Sequence, residues 1–308
     1  MSRAIDRARH AVAAAAPTGL SLAAVSGGAD SLALAVAASQ LPGDFGAVIV
    51  DHGLQAGSAQ VAVRAAGQCR ELGLEPVLVL RVDTRPDEAS ARTARYEAFD
   101  RALQSTGAQR ILLGHTRDDQ AEQVLLGLLR GSGTRSLAGM PAVRGAYARP
   151  LLDLSRQDTE QICAGAGLEY WEDPSNTDTS YRRNLVRSEI LPYLRGQLGE
   201  HIPQALARTA QLAAADADAL DQWAGRAWAE HGTNLKSLAA LPPAVASRVL
   251  RLAAADAGAR NLGRERTAAL CALAGVGTEK SKSAGPVQLD GKISAYRRSP
   301  VIVFTDSR

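Results

Sequence analysis

Residues Ser26, Gly27, Gly28, Ala29, Asp30 and Ser31 follow a short apolar run, 22–25, and precede a run of small residues at 32–41. Two adjacent glycines permit a tight turn that brings backbone N–H groups against an anion, and a helix starting behind them directs its positive end at the same point. The spacing predicts a phosphate cradle. It lacks the Gly-Lys-Ser/Thr ending with which a Walker loop reaches the outer phosphates, and it lacks the Gly-x-Gly-x-x-Gly of a dinucleotide turn. The chain's lysines are Lys236, Lys280, Lys282 and Lys292, so the first 200 residues hold none. Phosphate charge at the cradle must therefore be met by backbone amides, arginine or a metal ion, and Asp30 points to the metal.

A second cluster, GHTRDDQAEQVLL at 114–126, brings His115, Asp118, Asp119 and Glu122 close together in sequence. Asp118 and Glu122 share a helical face by the four-residue rule. One aspartate there could serve as a helix cap. Four polar groups together could hold magnesium, orient a nucleophilic amine or accept its proton.

Short apolar runs at 22–25, 47–50, 76–82 and 110–113 alternate with helical patterns at 32–41, 58–72, 89–104 and 119–129. Alternation of this kind predicts an α/β fold with a doubly wound, mostly parallel sheet, which binds ligands at the carboxyl ends of its strands. The segment 131–180 reads as loop-rich. Beyond Pro192 the chain turns alanine-rich, with helices expected at 204–229 and 243–257. Asp290-Gly291 between alternating residues predicts a terminal hairpin. The expected organisation is a catalytic domain over 1–200 and a second, mainly α-helical domain over 201–308 ending in that hairpin.

The first motif resembles the pyrophosphate-binding loop of the ATP pyrophosphatase superfamily, the PP-loop enzymes, which attach AMP to a carbonyl oxygen and release pyrophosphate. Further motifs stand in order: His52-Gly53-Leu54, Arg92 to Tyr96, Gly114 to Glu122, Arg149-Pro150-Leu151-Leu152, and Asp173-Pro174-Ser175-Asn176 to Asn184 with Arg187 beyond. With these the chain resembles the tRNA(Ile)-lysidine synthetase family, whose members join lysine to C2 of the wobble cytidine in a CAU anticodon. The match covers roughly 20–195, and the second domain is similar to that of the short family members, which lack an additional C-terminal domain. Thr116, Gln123 and Gln55 stand where histidine, threonine and arginine are common.

The resemblance implies ATP and Mg²⁺ as cofactors, with L-lysine and tRNA(Ile) bearing CAU as partners. Ser26, Gly27, Gly28, Ala29, Asp30, Ser31, His52 and Gly114 would bind ATP. Asp30 and Asp119 would lie at magnesium, and Asp119 and Glu122 at lysine. Asp30, Asp119, His115, Arg95 and Arg187 would carry the catalysis. Tyr96 or Trp171 could stack on a flipped base. Arg182, Arg183, Lys280, Lys282 and Lys292 are the expected tRNA contacts.

Composition bounds the rest. At 308 residues, 46% hydrophobic and 22% charged, the chain has ample core for two domains. No apolar run approaches a membrane span, and 5–16 carries charges that suit an amphipathic helix better than a signal sequence, so a cytoplasmic protein is expected. Cys69, Cys163 and Cys271 form no metal or redox spacing and read as small buried hydrophobes. This weighs against a base-thiolating enzyme of the same superfamily, which needs cysteines near the site. The acid cluster weighs against a non-catalytic nucleotide binder. Residues 201–308 hold 14 Lys plus Arg against 9 Asp plus Glu, which places the basic excess in the second domain. Oligomeric state stays open, a homodimer included.

Overall fold

The computed structural model describes residues 3–53, 55, 57–85, 87–131, 133–260, 262–277 and 285–306. The chain divides into two compact units, residues 1–213 and 214–308. The first unit opens with α1 (Arg3–Ala15) and then alternates: β1 (Ser21–Ala24), α2 (Ala29–Ser39), β2 (Phe45–Asp51), α3 (Ser58–Glu71), β3 (Val77–Arg81), α4 (Glu88–Thr106), β4 (Arg110–Leu113) and α5 (Arg117–Leu129). The short helix α6 (Thr134–Leu137) follows, then β5 (Val143–Arg144), β6 (Tyr147–Ala148), α7 (Arg156–Gly165), α8 (Arg182–Leu185), a π turn over Val186–Ile190, and α9 (Leu191–Leu198).

The six strands lie in the order β3-β2-β1-β4-β6-β5. All neighbours run parallel except β5 and β6. β1 is central, with Ala23 opposite Ala47 on one side and Leu112 on the other. The direction of winding reverses between β1 and β4, which opens a crevice at their carboxyl ends. Leu22, Ala23, Ile111 and Leu112 are buried, as strands covered on both faces must be. On one face α2 is apolar nearly all round, and its alanines let α1 and α7 pack directly over it through Ala8, Val12, Ile162 and Cys163. On the other face Phe99 and Ala102 of α4 cover Leu22, Val48 and Ile111.

Two expectations shift here. Helix α2 starts at Ala29, three residues earlier than its apolar run, because extended Gly28 (φ −78°, ψ 159°) caps it and places Asp30 and Ser31 in its first turn. The stretch expected to be loop-rich contains the β5–β6 hairpin, turned at Gly145 (φ 58°), and α7. Two-residue strands are too short to show periodicity. Helix α7 does carry a start signal, since Ser155 and Asp158 form a reciprocal capping box.

The long helix α10 (Ile202–His231) begins in the first unit and ends in the second, which adds α11 (Leu235–Ala240), α12 (Pro243–Asp256), α13 (Arg264–Ala274), β7 (Val287–Leu289), β8 (Ile293–Arg298) and β9 (Val301–Asp306). Val245, Val249, Leu250, Leu270 and Leu273 form its core against the inner face of the sheet. The expected terminal hairpin is a three-stranded antiparallel sheet, β7-β8-β9. Gly291 (φ 80°) and Lys292 (φ 61°) make the first turn as the Asp-Gly signal implied, and the apolar run at 301–304 adds the third strand. Among the described residues no helix is long and apolar enough to cross a membrane.

Candidate active site

The loop between β1 and α2 is held in shape by its own residues. Gly27 takes a left-handed conformation (φ 89°) with Val61 packed where a side chain would begin. The Ser26 backbone N–H donates to Ser31 Oγ at 3.1 Å, and the Ser31 hydroxyl donates to the Gly28 carbonyl at 2.8 Å. Trp171 N–H donates to the Gly27 carbonyl at 2.9 Å, tying the loop to the 170–176 segment. The first amides of α2 have no intrahelical partner and lie at a cleft of about 890 Å³ lined by Gly28, Ala29, Asp30 and Ser31.

His115, just beyond β4, and Asp119 of α5 enter the same cleft, as do His52 from the end of β2, Arg95 from α4, and Arg183 and Arg187. Gly114 makes the convergence possible: a Cβ there would lie 2.9 Å from the Asp30 carbonyl oxygen. The structure thus brings together Ser26, Gly28, Ala29, Asp30, Ser31, His52, Arg95, Gly114, His115, Asp119 and Arg187. Gly27 shapes the loop from behind.

Asp30 is a half-buried carboxyl whose pKa is pushed up to about 6 by desolvation, with the Asp119 charge adding; a hydrogen bond from Thr159 and the charges of Arg156 and Arg187 oppose it. Thr159 Oγ1 lies 2.5 Å from Asp30 Oδ1. Among the described residues no salt bridge reaches Asp30. An incompletely compensated acid beside a phosphate loop suits a divalent cation, which in such sites is held by one or two carboxylates together with substrate phosphates. Asp30 therefore fits magnesium.

Asp119 does not fit as a second ligand in this arrangement. It is N3 of a capping box on α5, its Oδ2 accepting from Thr116 N–H at 2.8 Å and Thr116 Oγ1 at 3.1 Å. Its Oδ1 accepts from Nη2 of Arg183 (2.8 Å) and of Arg187 (2.9 Å). A carboxylate has about four acceptor sites, and all four are used. Glu122 completes the square, accepting from Nε of Arg183 at 2.8 Å and Nε of Arg187 at 2.6 Å. Burial alone would raise the Asp119 pKa, but the two arginines hold it below the usual carboxylate range. Asp119 is 5% exposed and Glu122 1%.

Three expectations change accordingly. Glu122 lies beneath the two arginines and does not line the cleft. Arg183, expected on a tRNA-facing surface with exposed Arg182, has its guanidinium on Asp119 and Glu122. Asp118 lies apart, accepting from the Arg156 N–H at the start of α7. Buried Val186 and Leu191 pack on Ala121 of α5 and support the arginine-bearing segment, whose π turn carries Arg187. Such turns are frequent at functional sites.

His115 is half-buried, and desolvation followed by the fields of Arg149, Arg183 and Arg92 pushes its pKa down to about 4 against the pull of Asp119. Its Nδ1 is buried without a hydrogen-bond partner. His52 accepts from Arg95 Nε at 3.3 Å through Nε2, so its Nδ1 carries the proton. Tyr96 packs edge-on against Tyr147 and Phe99, with Arg92 over its ring and Arg149 donating to its hydroxyl. It serves the packing under the site, whereas Trp171 lines the cleft.

Sequence reading missed Thr159, and it assigned no individual role to the 173–176 segment. Asp173 Oδ1 accepts from Gln55 Nε2 and Ser175, and Asn184 Nδ2 donates to the carbonyls of Ser175 and Asp178, closing this loop onto α8. The spacing that identified the motif was legible, but its turn geometry was not. Cys69 and Cys163 are buried, with thiols pushed up to about 12 by burial, and Cys271 is partly exposed. Lys280 and Lys282 lie outside the described residues, as does Leu54 of the His-Gly-Leu motif. Lys292 is exposed at the β7–β8 turn.

Residues 2–194 match the PP-loop domain family, and residues 234–299 match the TilS substrate binding domain. A tRNA(Ile)-lysidine synthase of Leifsonia xyli is 46% identical over 94% of this chain and 90% of its own length. That of Salinispora tropica is 46% identical over 98% and 96%, and that of Streptomyces coelicolor 51% identical over 78% and 72%. In fold, a U34-tRNA thiolase of Methanococcus maripaludis is similar with a TM-score of 0.55 and 17% identity, covering 68% of this chain and 78% of that one. With the phosphate loop, the acid–arginine square and this similarity along nearly the whole sequence, the chain belongs to the tRNA(Ile)-lysidine synthase family.

Proposed function

We propose that this protein forms lysidine on tRNA(Ile), using ATP to activate the wobble cytidine of a CAU anticodon and L-lysine as the nucleophile. The observation that carries this reading is the convergence of the phosphate loop, Asp30, His115 and the Asp119–Arg187 pair in one cleft at the switch point of the sheet. The cytidine C2 oxygen attacks the α-phosphate of ATP, forming an O-adenylate and releasing pyrophosphate. The lysine ε-amine then attacks C2, and AMP leaves with the C2 oxygen.

Each residue has a part in that sequence. The loop amides and the N-terminus of α2 receive the phosphates, and Asp30 holds the cation, which when bound neutralises phosphate charge. His52 and Arg95 border the nucleotide at the end of β2, and Trp171 offers a face for a base. Arg187 turns toward the departing phosphates, and the ε-ammonium of lysine takes the acceptor position that this frees on Asp119. The ammonium must lose a proton before it attacks, since it is mostly protonated at neutral pH. Neutral His115, which lines the cleft with Asp119, accepts that proton. Exposed Lys292, together with Lys280 and Lys282 of the same basic stretch of sequence, contacts tRNA phosphates. ATP, lysine and tRNA place the reaction in the cytoplasm.

The test is incubation with ATP, magnesium, radiolabelled lysine and a tRNA(Ile) transcript bearing CAU, with Asp30→Ala as control. Label fixed at the wobble cytidine, AMP release and loss of both in the control are expected. Pyrophosphate release without lysine incorporation would overturn the nucleophile assignment while retaining base adenylation.

A further inference from the structure

Helix α7 belongs to none of the motifs assigned to the reaction, yet it is packed against the first turn of α2. Thr159 and Cys163 are one helical turn apart and face the same way. Thr159 is fully buried, and its Oγ1 lies 2.5 Å from Asp30 Oδ1 and 2.7 Å from its own helix's Arg156 carbonyl. Cys163 Sγ donates to the carbonyl of Ala29 at 3.3 Å. Both interactions fall on the two residues that open α2, one on the backbone and one on the carboxylate.

We infer that Thr159 is a positioning residue that fixes the Asp30 carboxylate in the rotamer needed to hold the cation on the ATP phosphates. The inference rests on the assignment of Asp30 to that cation. Three features support it. Aspartate has two side-chain torsions, and with Oδ1 held by Thr159 the other oxygen is the one available to a ligand. The fully buried Thr159 Oγ1 lies between the Asp30 carboxylate and the Arg156 carbonyl, and its one proton goes to the ionised carboxylate, the stronger acceptor of the two. The remaining charged groups named around Asp30, Arg156, Arg187 and Asp119, act on it through their fields, whereas Thr159 supplies the directional bond. Helix α7 is itself anchored, through the Ser155–Asp158 capping box and through Arg7 of α1, which donates to Asp158 and to the Asp153 carbonyl. The first helix thereby braces the support of the phosphate loop.

The experiment compares Thr159→Val, which keeps the branched shape and removes the hydroxyl, with Thr159→Ser, which keeps the hydroxyl, and with Asp30→Asn. ATP binding to the purified full chain is measured calorimetrically with magnesium and again in EDTA. Magnesium dependence of tRNA adenylation and the KM for lysine are measured alongside. For Thr159→Val we expect roughly tenfold weaker ATP binding with magnesium, little change in EDTA, a raised magnesium requirement and an unchanged lysine KM; this corresponds to loss of one hydrogen bond to a charged group. Thr159→Ser should stay within about threefold of the parent. Equal weakening with magnesium and in EDTA would overturn the inference, because the hydroxyl would then act on the loop as a whole. Unaltered magnesium dependence in Thr159→Val, with Asp30→Asn impaired, would also overturn it. If Asp30→Asn itself leaves magnesium dependence intact, the assignment of Asp30 to the cation fails instead. Binding is read well below the melting temperature of each variant, so a loss of stability does not mimic the expected result.

Discussion

Replacing Arg187 by Met removes two of the four hydrogen bonds of the acid–arginine square, those at 2.6 Å to Glu122 and 2.9 Å to Asp119. It leaves two nearly inaccessible carboxylates facing one guanidinium. Breaking a buried ion pair from one side costs about 3–5 kcal/mol, chiefly because the abandoned charge stays desolvated. The Arg187 side chain is 27% exposed, so water can enter the space it vacates, and the lower end, about 3 kcal/mol, is expected. Glu122→Gln makes the opposite error, leaving two guanidiniums on one carboxylate; because glutamine still accepts from one of them, the cost is that of one hydrogen bond to a charged group, about 2 kcal/mol. Together the two changes restore one positive against one negative charge, so the double variant should lose about 3 kcal/mol rather than 5, a coupling of roughly 2 kcal/mol. Urea denaturation at neutral pH reads this, with Trp223 and Trp228 replaced by Phe so that Trp171 reports the first unit. Additivity of the two single losses within about 0.5 kcal/mol would refute the argument that charge balance, rather than each bond separately, stabilises the square.

Two further outcomes follow from the same residues and from the second unit. In the cation-free protein the folded Asp30 pKa of about 6 lies above the unfolded value of 3.8, so the folded state binds more protons in that window and stability falls as pH rises through it, by about 3 kcal/mol. His115 has the opposite sign: its folded value of about 4 lies below 6.5, the unfolded chain binds more protons between them, and stability falls by about 3 kcal/mol as pH drops from 6.5 to 4. The two slopes offset one another, so Asp30→Asn should become markedly less stable on acidification relative to the parent, and His115→Gln relatively more stable, in denaturant titrations between pH 4 and 7; parallel curves for all three proteins would contradict both environments. Charge reversal at Lys280, Lys282 and Lys292 should weaken tRNA binding and flatten its salt dependence by up to ~0.7–0.9 log unit for each phosphate no longer neutralised. An unchanged slope in filter binding across a salt series would remove these lysines from the interface.

The sheet and the phosphate loop were legible because both depend on local rules. Apolar runs alternating with helical ones leave few topologies, and a Gly-Gly turn ahead of Asp and Ser has few other uses. The acid–arginine square was not read, because its partners are separated by more than sixty residues. A trace of it is nevertheless present: Asp119 and Glu122 are three apart, Arg183 and Arg187 four apart, and both spacings put like charges on one helix face. Two such pairs of opposite sign are each other's natural partners. The hydrogen bond between Thr159 and Asp30 left no comparable trace, since a threonine inside a helix is ordinary and its partner is fixed only by how α7 crosses α2. The terminal sheet was half read because the Asp-Gly turn is a strong signal, while the turn at Ser299-Pro300 carries no such pair.

Gly114 belongs by sequence to the second motif, yet the space it leaves empty is filled by the backbone of Asp30 and Ser31 in the first. The two motifs are therefore one mechanical part made from two stretches of chain, and their histories are joined. A lineage that placed any side chain at position 114 would have to redraw the phosphate loop in the same step. For anyone recombining these enzymes, the natural unit of exchange is neither motif alone but the span from β1 through the first turn of α5. A hybrid whose crossover falls between residues 31 and 114 should be accepted only when both parents carry the same close approach.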